Sequence, residues 1–169
     1  MLRDQQISES QAGASATADR PLRIALLSYR SKAHSGGQGI YVRHLSRELA
    51  ALGHHVEVIS GPPYPELDEG PSLTKVPSLD LYREPDPFRV PKLREFRSPI
   101  DVYEFLSVCT GSFPEPLTFS LRARRLLENR PAAERPDIVH DNQTLGYGML
   151  FMDRPGMPVV ATIHHPITV

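Results

Sequence analysis

One cysteine, Cys109, stands among 169 residues. That excludes an internal disulfide framework, and it casts the thiol as a small buried hydrophobe in a reducing compartment. No stretch approaches the roughly 18 consecutive apolar residues that span a bilayer. Residues 1–20 lack the apolar segment of a secretory leader, so the expected location is the cytoplasm. Lysine and arginine number 19 against 20 aspartates and glutamates, a formal net charge of −1. No surplus of positive charge therefore points to nucleic acid or to an acidic membrane surface. CxxC and HExxH spacings are absent, and the adjacent pairs His54–His55 and His164–His165 would point to opposite faces of a strand. No metal site is expected. No carboxylate pair suited to two-acid glycoside hydrolysis stands out either.

What remains is the composition of a globular domain, with 40% hydrophobic and 23% charged residues. The tail of residues 1–20 is rich in Ser, Ala, Gln and Asp and reads as disordered. The folded part is expected over residues 21–169. "LRIALLS" (Leu22–Ser28) is a nearly continuous apolar run, the pattern of a strand buried on both faces of a parallel sheet. Tyr41, Leu45, Leu49 and Leu52 then recur at helical spacing, with Gly53 in the place of a C-terminal cap. "HVEVIS" (His55–Ser60) is a second strand, so the opening forms a βαβ unit.

Nine of the 17 prolines lie between Gly61 and Ile100. This Pro-rich insertion, about 61–99, should hold little helix, with "SLTKVPSL" as a short edge strand. Ser98 as N-cap and Pro99 at the first position begin a helix that ends before Gly111. A further helix runs from Pro116 to Asn129, with Arg122, Arg124, Arg125 and Arg130 on a solvated face. Asp137–His140 and Val159–Ile163 read as strands, and "TLGYGMLFM" between them reads as a short helix. The fold class is α/β: a Rossmann-like three-layer domain with a mostly parallel sheet.

In such sheets ligands bind beyond the carboxyl ends of the strands, near the point where strand order reverses. The polar residues gather at those ends: Ser28 and Tyr29 after the first strand, His140, Asp141 and Asn142 after the third clear one, His164 and His165 after the last. Between the first strand and its helix lies "HSGGQGIY". A glycine loop on a helix N-terminus lets an anion approach unpaired N–H groups. Seven residues, Tyr29 to Ser35, separate strand from glycines, which is the wrong spacing for a GxGxxG dinucleotide turn, and no GxxxxGK[ST] is present. A classical NAD or ATP site is disfavoured, and a sugar nucleotide or an acceptor suits the longer loop.

These residues resemble the N-terminal domain of family 4 retaining glycosyltransferases of GT-B fold. "RIALLSYRSKAHSGGQGIYVRHLSRELAALGHHVEVIS", "PDIVHDNQTLGYG" and "PVVATIHHPIT" carry the resemblance. It implies transfer of a sugar from a nucleotide-sugar donor to a small-molecule or lipid acceptor, with no metal and no other cofactor. It implies that Gly36, Gly37 and Gln38 face the donor diphosphate and that His164 contacts the sugar near the reacting centre. Tyr29, His140, Asp141, Asn142 and His165 would line the acceptor cleft. The partners implied are these substrates, with no nucleic acid and no transmembrane segment, although peripheral contact with a membrane is compatible. The resemblance also implies that the chain is the N-terminal half of a GT-B fold, incomplete, and inactive without a C-terminal donor-binding domain. The alternative is a non-catalytic module that binds a sugar or polyol phosphate in the same cleft. An epimerase is disfavoured, since its NAD fingerprint and its YxxxK pair are missing.

Overall fold

Ile24, Ala25, Leu26 and Leu27 form an unbroken apolar run, and each is buried. Successive strand side chains point to opposite faces, so such a run must be covered from both sides. A computed structural model shows how the cover is built; it describes residues 20–31, 37–83, 85, 89–144, 146–150, 152–153 and 156–164. Strand β1 (Arg23–Ser28) is followed by helix α1 (Gly37–Ala51), strand β2 (His55–Ser60) and strand β3 (Ser72–Lys75). Helices α2 (Pro99–Cys109) and α3 (Glu115–Glu128) come next, then strands β4 (Ile138–Asn142) and β5 (Val159–Thr162). The five strands lie in the order β3-β2-β1-β4-β5, and all are parallel. Leu26 meets Val42 of α1 and Val58 of β2 on one face. Ala25 and Leu27 meet Phe119, Ala123 and Leu127 of α3 on the other. The result is a three-layer α/β sandwich of Rossmann type.

Local signals set the helix ends. The backbone N–H of Ser98 donates to Asp101 Oδ2 at 2.8 Å, a capping box that starts α2 after Pro99. Gly53 (φ +91°) and Gly111 (φ +79°) follow the ends of α1 and α2 in the left-handed region that favours glycine. Within the Pro-rich segment β3 is indeed an edge strand, and Val76, Leu79 and Leu81 behind it are buried. The segment is thus part of the core. Among the described residues no helix is long and apolar enough to cross a membrane.

Three expectations are corrected. Cys109 is exposed at the end of α2, because that helix buries its polar Asp101 and Glu104 edge and leaves Val102, Tyr103 and Leu106 outward. The arginines of α3 are not a solvated face. Arg122, 11% exposed, pairs with Asp101 at 2.6 Å and also with Glu104. Arg124 reaches Glu128 one turn on. Beyond the helix, Arg130 donates to both carboxylate oxygens of Glu57 at 2.6 Å. Only Arg125 is exposed as expected. The helix expected in "TLGYGMLFM" is a single 3-10 turn, Tyr147–Met149. Its glycines sit directly on α3: a side-chain carbon on Gly148 would collide with the Ser120 backbone, and Gly148 N–H donates to Ser120 Oγ at 3.1 Å. The disordered-tail expectation for residues 1–20 lies, apart from Arg20, outside the described residues.

Breaking a buried charge pair strands its partners. Arg122→Leu leaves two carboxylates, one 9% and one 2% exposed, without their guanidinium. Urea unfolding should show a loss of about 3–5 kcal/mol; a loss under about 1 kcal/mol, the surface-pair range, would refute this account.

Candidate functional site at the carboxyl edge of the sheet

The order reverses at β1, since β2 and β3 build to one side and β4 and β5 to the other. Register brings the strand ends level: Ser28 lies opposite Ser60, Leu27 opposite Asp141, and Asn142 opposite Thr162. Two walls meet there.

One wall belongs to β4, β5 and α1. Val139 of β4 and Val159 of β5 pack on the α3 side. The strand alternation therefore turns His140, Asn142 and Thr162 toward α1. His140 Nε2 lies 2.7 Å from Thr162 Oγ1, and the Tyr41 hydroxyl of α1 is 3.5 Å from the same oxygen. Two residues beyond Thr162, His164 Nε2 lies 2.5 Å from Asn142 Oδ1. The His164 backbone N–H donates to Gln143 Oε1 at 3.0 Å, and the Tyr41 ring meets the His164 ring edge-to-face at 4.7 Å. Gln143 turns the chain with φ +57°, a conformation uncommon for a residue with a side chain. Burial holds the half-buried His140 below its ordinary pKa, with nearby Asp141 opposing and His164 adding to the shift. His140 is therefore neutral near pH 7.

The expected site residues fall into different positions. His164 is exposed, and Gly37 and Gln38 open α1 beside Tyr41, where the first N–H groups of a helix lack internal partners. Asp141 and Asn142 are 1% and 0% exposed, and Asp141 Oδ1 accepts the Thr144 N–H at 3.2 Å. Their side chains serve the protein's own interior. Gly36 and His165 lie outside the described residues. Among the described residues no group of three or more His, Cys, Asp or Glu is placed to hold a metal ion.

The other wall follows β1. Ser28 Oγ and Ser31 Oγ are 2.6 Å apart, and Ser31 N–H donates to Pro63 O at 3.0 Å, which ties the loop after β1 to the loop after β2. Between them Tyr29 is half-buried, its ring 6.4 Å from Phe113. Phe113 lies 5.7 Å from Tyr82, and the Arg30 guanidinium sits 5.9 Å over the Tyr82 ring. Arg30 also pairs with Glu115 at 3.4 Å. Sequence reasoning missed Arg30, Tyr82, Phe113 and Glu115. They come from three separated segments, and only the acidic residue at the start of α3 carried any local signal.

Tyr29, Glu104, Glu115 and Arg122 share a cavity of about 10 Å³, close to the least that holds one water. Burial there lifts Glu115 to about 7, with Glu104 and Asp80 adding and Arg30 opposing. A second cavity, of about 410 Å³, lies aside at the end of β3, between Lys75, Arg97, Asp101 and Arg125. It shares no residue with the His164 wall.

An acid whose folded pKa exceeds its ordinary 4.5 keeps a proton that the unfolded chain releases. Stability therefore falls as pH rises from about 4.5 to about 7, by about 3 kcal/mol at most, and is level above that. Glu115→Gln should remove this slope, so the variant gains on the wild type between about pH 5 and about pH 8. A stability difference that stays constant across that window contradicts the buried acid.

Comparison with known proteins gives the family of the chain. The family described as "Glycosyl transferase 4-like domain" matches residues 36–169. An MMP alpha-(1->4)-mannosyltransferase of Mycolicibacterium hassiacum is 65% identical over 148 residues, covering 87% of this chain. The chain spans 36% of the length of that relative. With a family match over most of its length and a sheet reversed at the polar strand ends, this chain belongs to the glycosyl transferase 4-like family.

Proposed function

We propose that this chain forms the acceptor-side half of a glycosyltransferase that moves a sugar from a nucleotide-sugar donor to an acceptor hydroxyl. The observation that carries the reading is the clamped His164, held between Asn142 and Tyr41 beside the N-terminus of α1. Donor cleavage leaves a diphosphate on which negative charge grows, and charge of that kind is stabilised by N–H groups fixed in advance. Gly36, Gly37 and Gln38 are proposed to present them. A carbon added at Gly37 would meet nothing within 4 Å, so the space above α1 is open to an anion. His164 is proposed to hydrogen-bond a donor-sugar hydroxyl as positive charge develops on the sugar ring. The acceptor would enter along the opposite wall, against Tyr29 and the Phe113–Glu115 segment, with His140 at its inner end. Asp141 and Asn142 would shape that cleft from beneath.

Mannose as the transferred sugar and a (1→4) linkage are the finer reading, supported by the relative's name alone. The reading further holds that the donor's base and sugar are gripped by a second domain, in keeping with the 36% coverage, and that residues 21–169 alone turn over no substrate.

The test is transfer from nucleotide sugars, mannose-linked first, by the full-length protein. His164→Ala should lower kcat about 10²-fold or more, the scale for one well-placed donor at developing charge. Gly37→Ala should stabilise α1 by about 0.5–1 kcal/mol, yet raise the donor KM roughly tenfold, a cost of about 1.4 kcal/mol. Full turnover by His164→Ala, or tight sugar-phosphate binding by a wild type that transfers nothing, would sink the proposal.

A further inference from the structure

Asn142 is 0% exposed, so its side chain reaches no substrate. Its Oδ1 nevertheless lies 2.5 Å from Nε2 of His164, which is itself exposed. We infer that Asn142 is a positioning residue that holds His164 as the neutral Nε2–H tautomer and leaves Nδ1 as the nitrogen that meets substrate. The inference rests on the reading of His164 as the sugar contact, but its geometry stands apart from that reading.

A carbonyl oxygen only accepts, so a ring nitrogen paired with Oδ1 must carry the hydrogen. In neutral imidazole the other nitrogen then bears the lone pair. A neutral His164 held this way accepts a hydrogen bond from a sugar hydroxyl at Nδ1; an imidazolium would donate there instead. Further contacts hold the ring in place. Gln143 Oε1 accepts the His164 backbone N–H, and the Tyr41 ring abuts the imidazole at 81°. The pairing is a strand-register effect: Asn142 stands opposite Thr162, and His164 is the next residue of β5's run on the same face.

The charges around the ring leave the choice to Asn142. His140 and Tyr41 stand beside the ring, and Asp141 precedes Asn142 in β4. His140 is neutral near pH 7 and bonded to Thr162. Asp141 alternates to the other face of β4, and the Tyr41 hydroxyl turns to Thr162. An amide at position 142 orients the imidazole without charging it, whereas a carboxylate there would favour the cation. Asn142 Nδ2 has no hydrogen-bond partner among the described residues. Removing that NH₂ therefore breaks no bond, and Asn142→Asp keeps the accepting oxygen in place.

Nitrogen-15 imidazole correlation spectra of this chain test the inference directly. In the wild type, His164 should show a protonated Nε2 whose hydrogen exchanges slowly with water, and a pyridine-like Nδ1. Asn142→Asp should keep the protected Nε2–H and raise the His164 protonation constant at least tenfold. Asn142→Leu should lose the protection. A wild-type His164 protonated at Nδ1, or a Nε2–H as exposed to exchange as in Asn142→Leu, overturns the inference. Addition of a nucleotide sugar to the full-length protein separates the two readings: an unmoved Nδ1 resonance with an intact Nε2–H strikes at the sugar contact alone. In the full-length enzyme, Asn142→Asp should shift the pH–kcat profile to higher pH, and an unmoved profile would count equally against the inference.

Discussion

Burial of β1 on both faces is the constraint from which the rest of the molecule follows. Four consecutive apolar residues at its centre cannot be covered by a single layer. One helix has to lie on each side, and the neighbouring strands have to be parallel so that the crossovers can carry those helices. α1 takes one face through Val42 and α3 the other through Phe119, Ala123 and Leu127. With β2 on one flank of β1 and β4 on the other, the chain cannot avoid a crevice where the order turns over. Burying Leu26 and Leu27 therefore also places the polar strand ends at one edge.

The two walls of that crevice differ in chemistry. On the β4–β5 side the polar atoms are tied to one another: His140 to Thr162, Asn142 to His164, Thr162 to Tyr41. Such a network gives little stability but costs much when left half made, so it is rigid. On the β1 side three aromatic rings surround an arginine–glutamate pair, and the carboxyl is buried enough to titrate near neutrality. A rigid wall suits the proposed orientation of a reacting sugar. A half-exposed aromatic wall with one adjustable proton suits the proposed docking of an acceptor.

Much of the fold was legible because its signals are local. "HVEVIS" reads as a strand and is one, residue for residue, since alternation and the flanking glycines leave no helical alternative. Ser98–Pro99 and Gly111 mark the ends of α2 through cap geometry spanning a few residues. The failures share a cause as well. Cys109, Arg122 and Gly148 each owe their environment to a neighbour far along the chain. Composition says that cysteine is usually buried and arginine usually solvated, but α2 and α3 pack through charge, so Arg122 went in and Cys109 stayed out. Two glycines between β4 and β5 read as poor helix formers, yet they are there because α3 lies too close for any side chain.

The candidate site divides in the same way. Which residues end the strands, and so which side chains gather at the carboxyl edge, follows from the sequence through hydrophobic runs and their polar terminators. A continuous apolar run is favoured where both faces of a strand are covered, so the strand positions are read from local sequence. Which of those polar residues face solvent and which are consumed inside was decided only by tertiary structure. Asp141, Asn142 and His164 look alike as polar strand-end residues. β4 is covered on both faces, so Asp141 and Asn142 are consumed inside, whereas His164 lies beyond the end of β5 and is exposed. The register of β4 against β5 decides that Asn142 meets it across some 20 intervening residues.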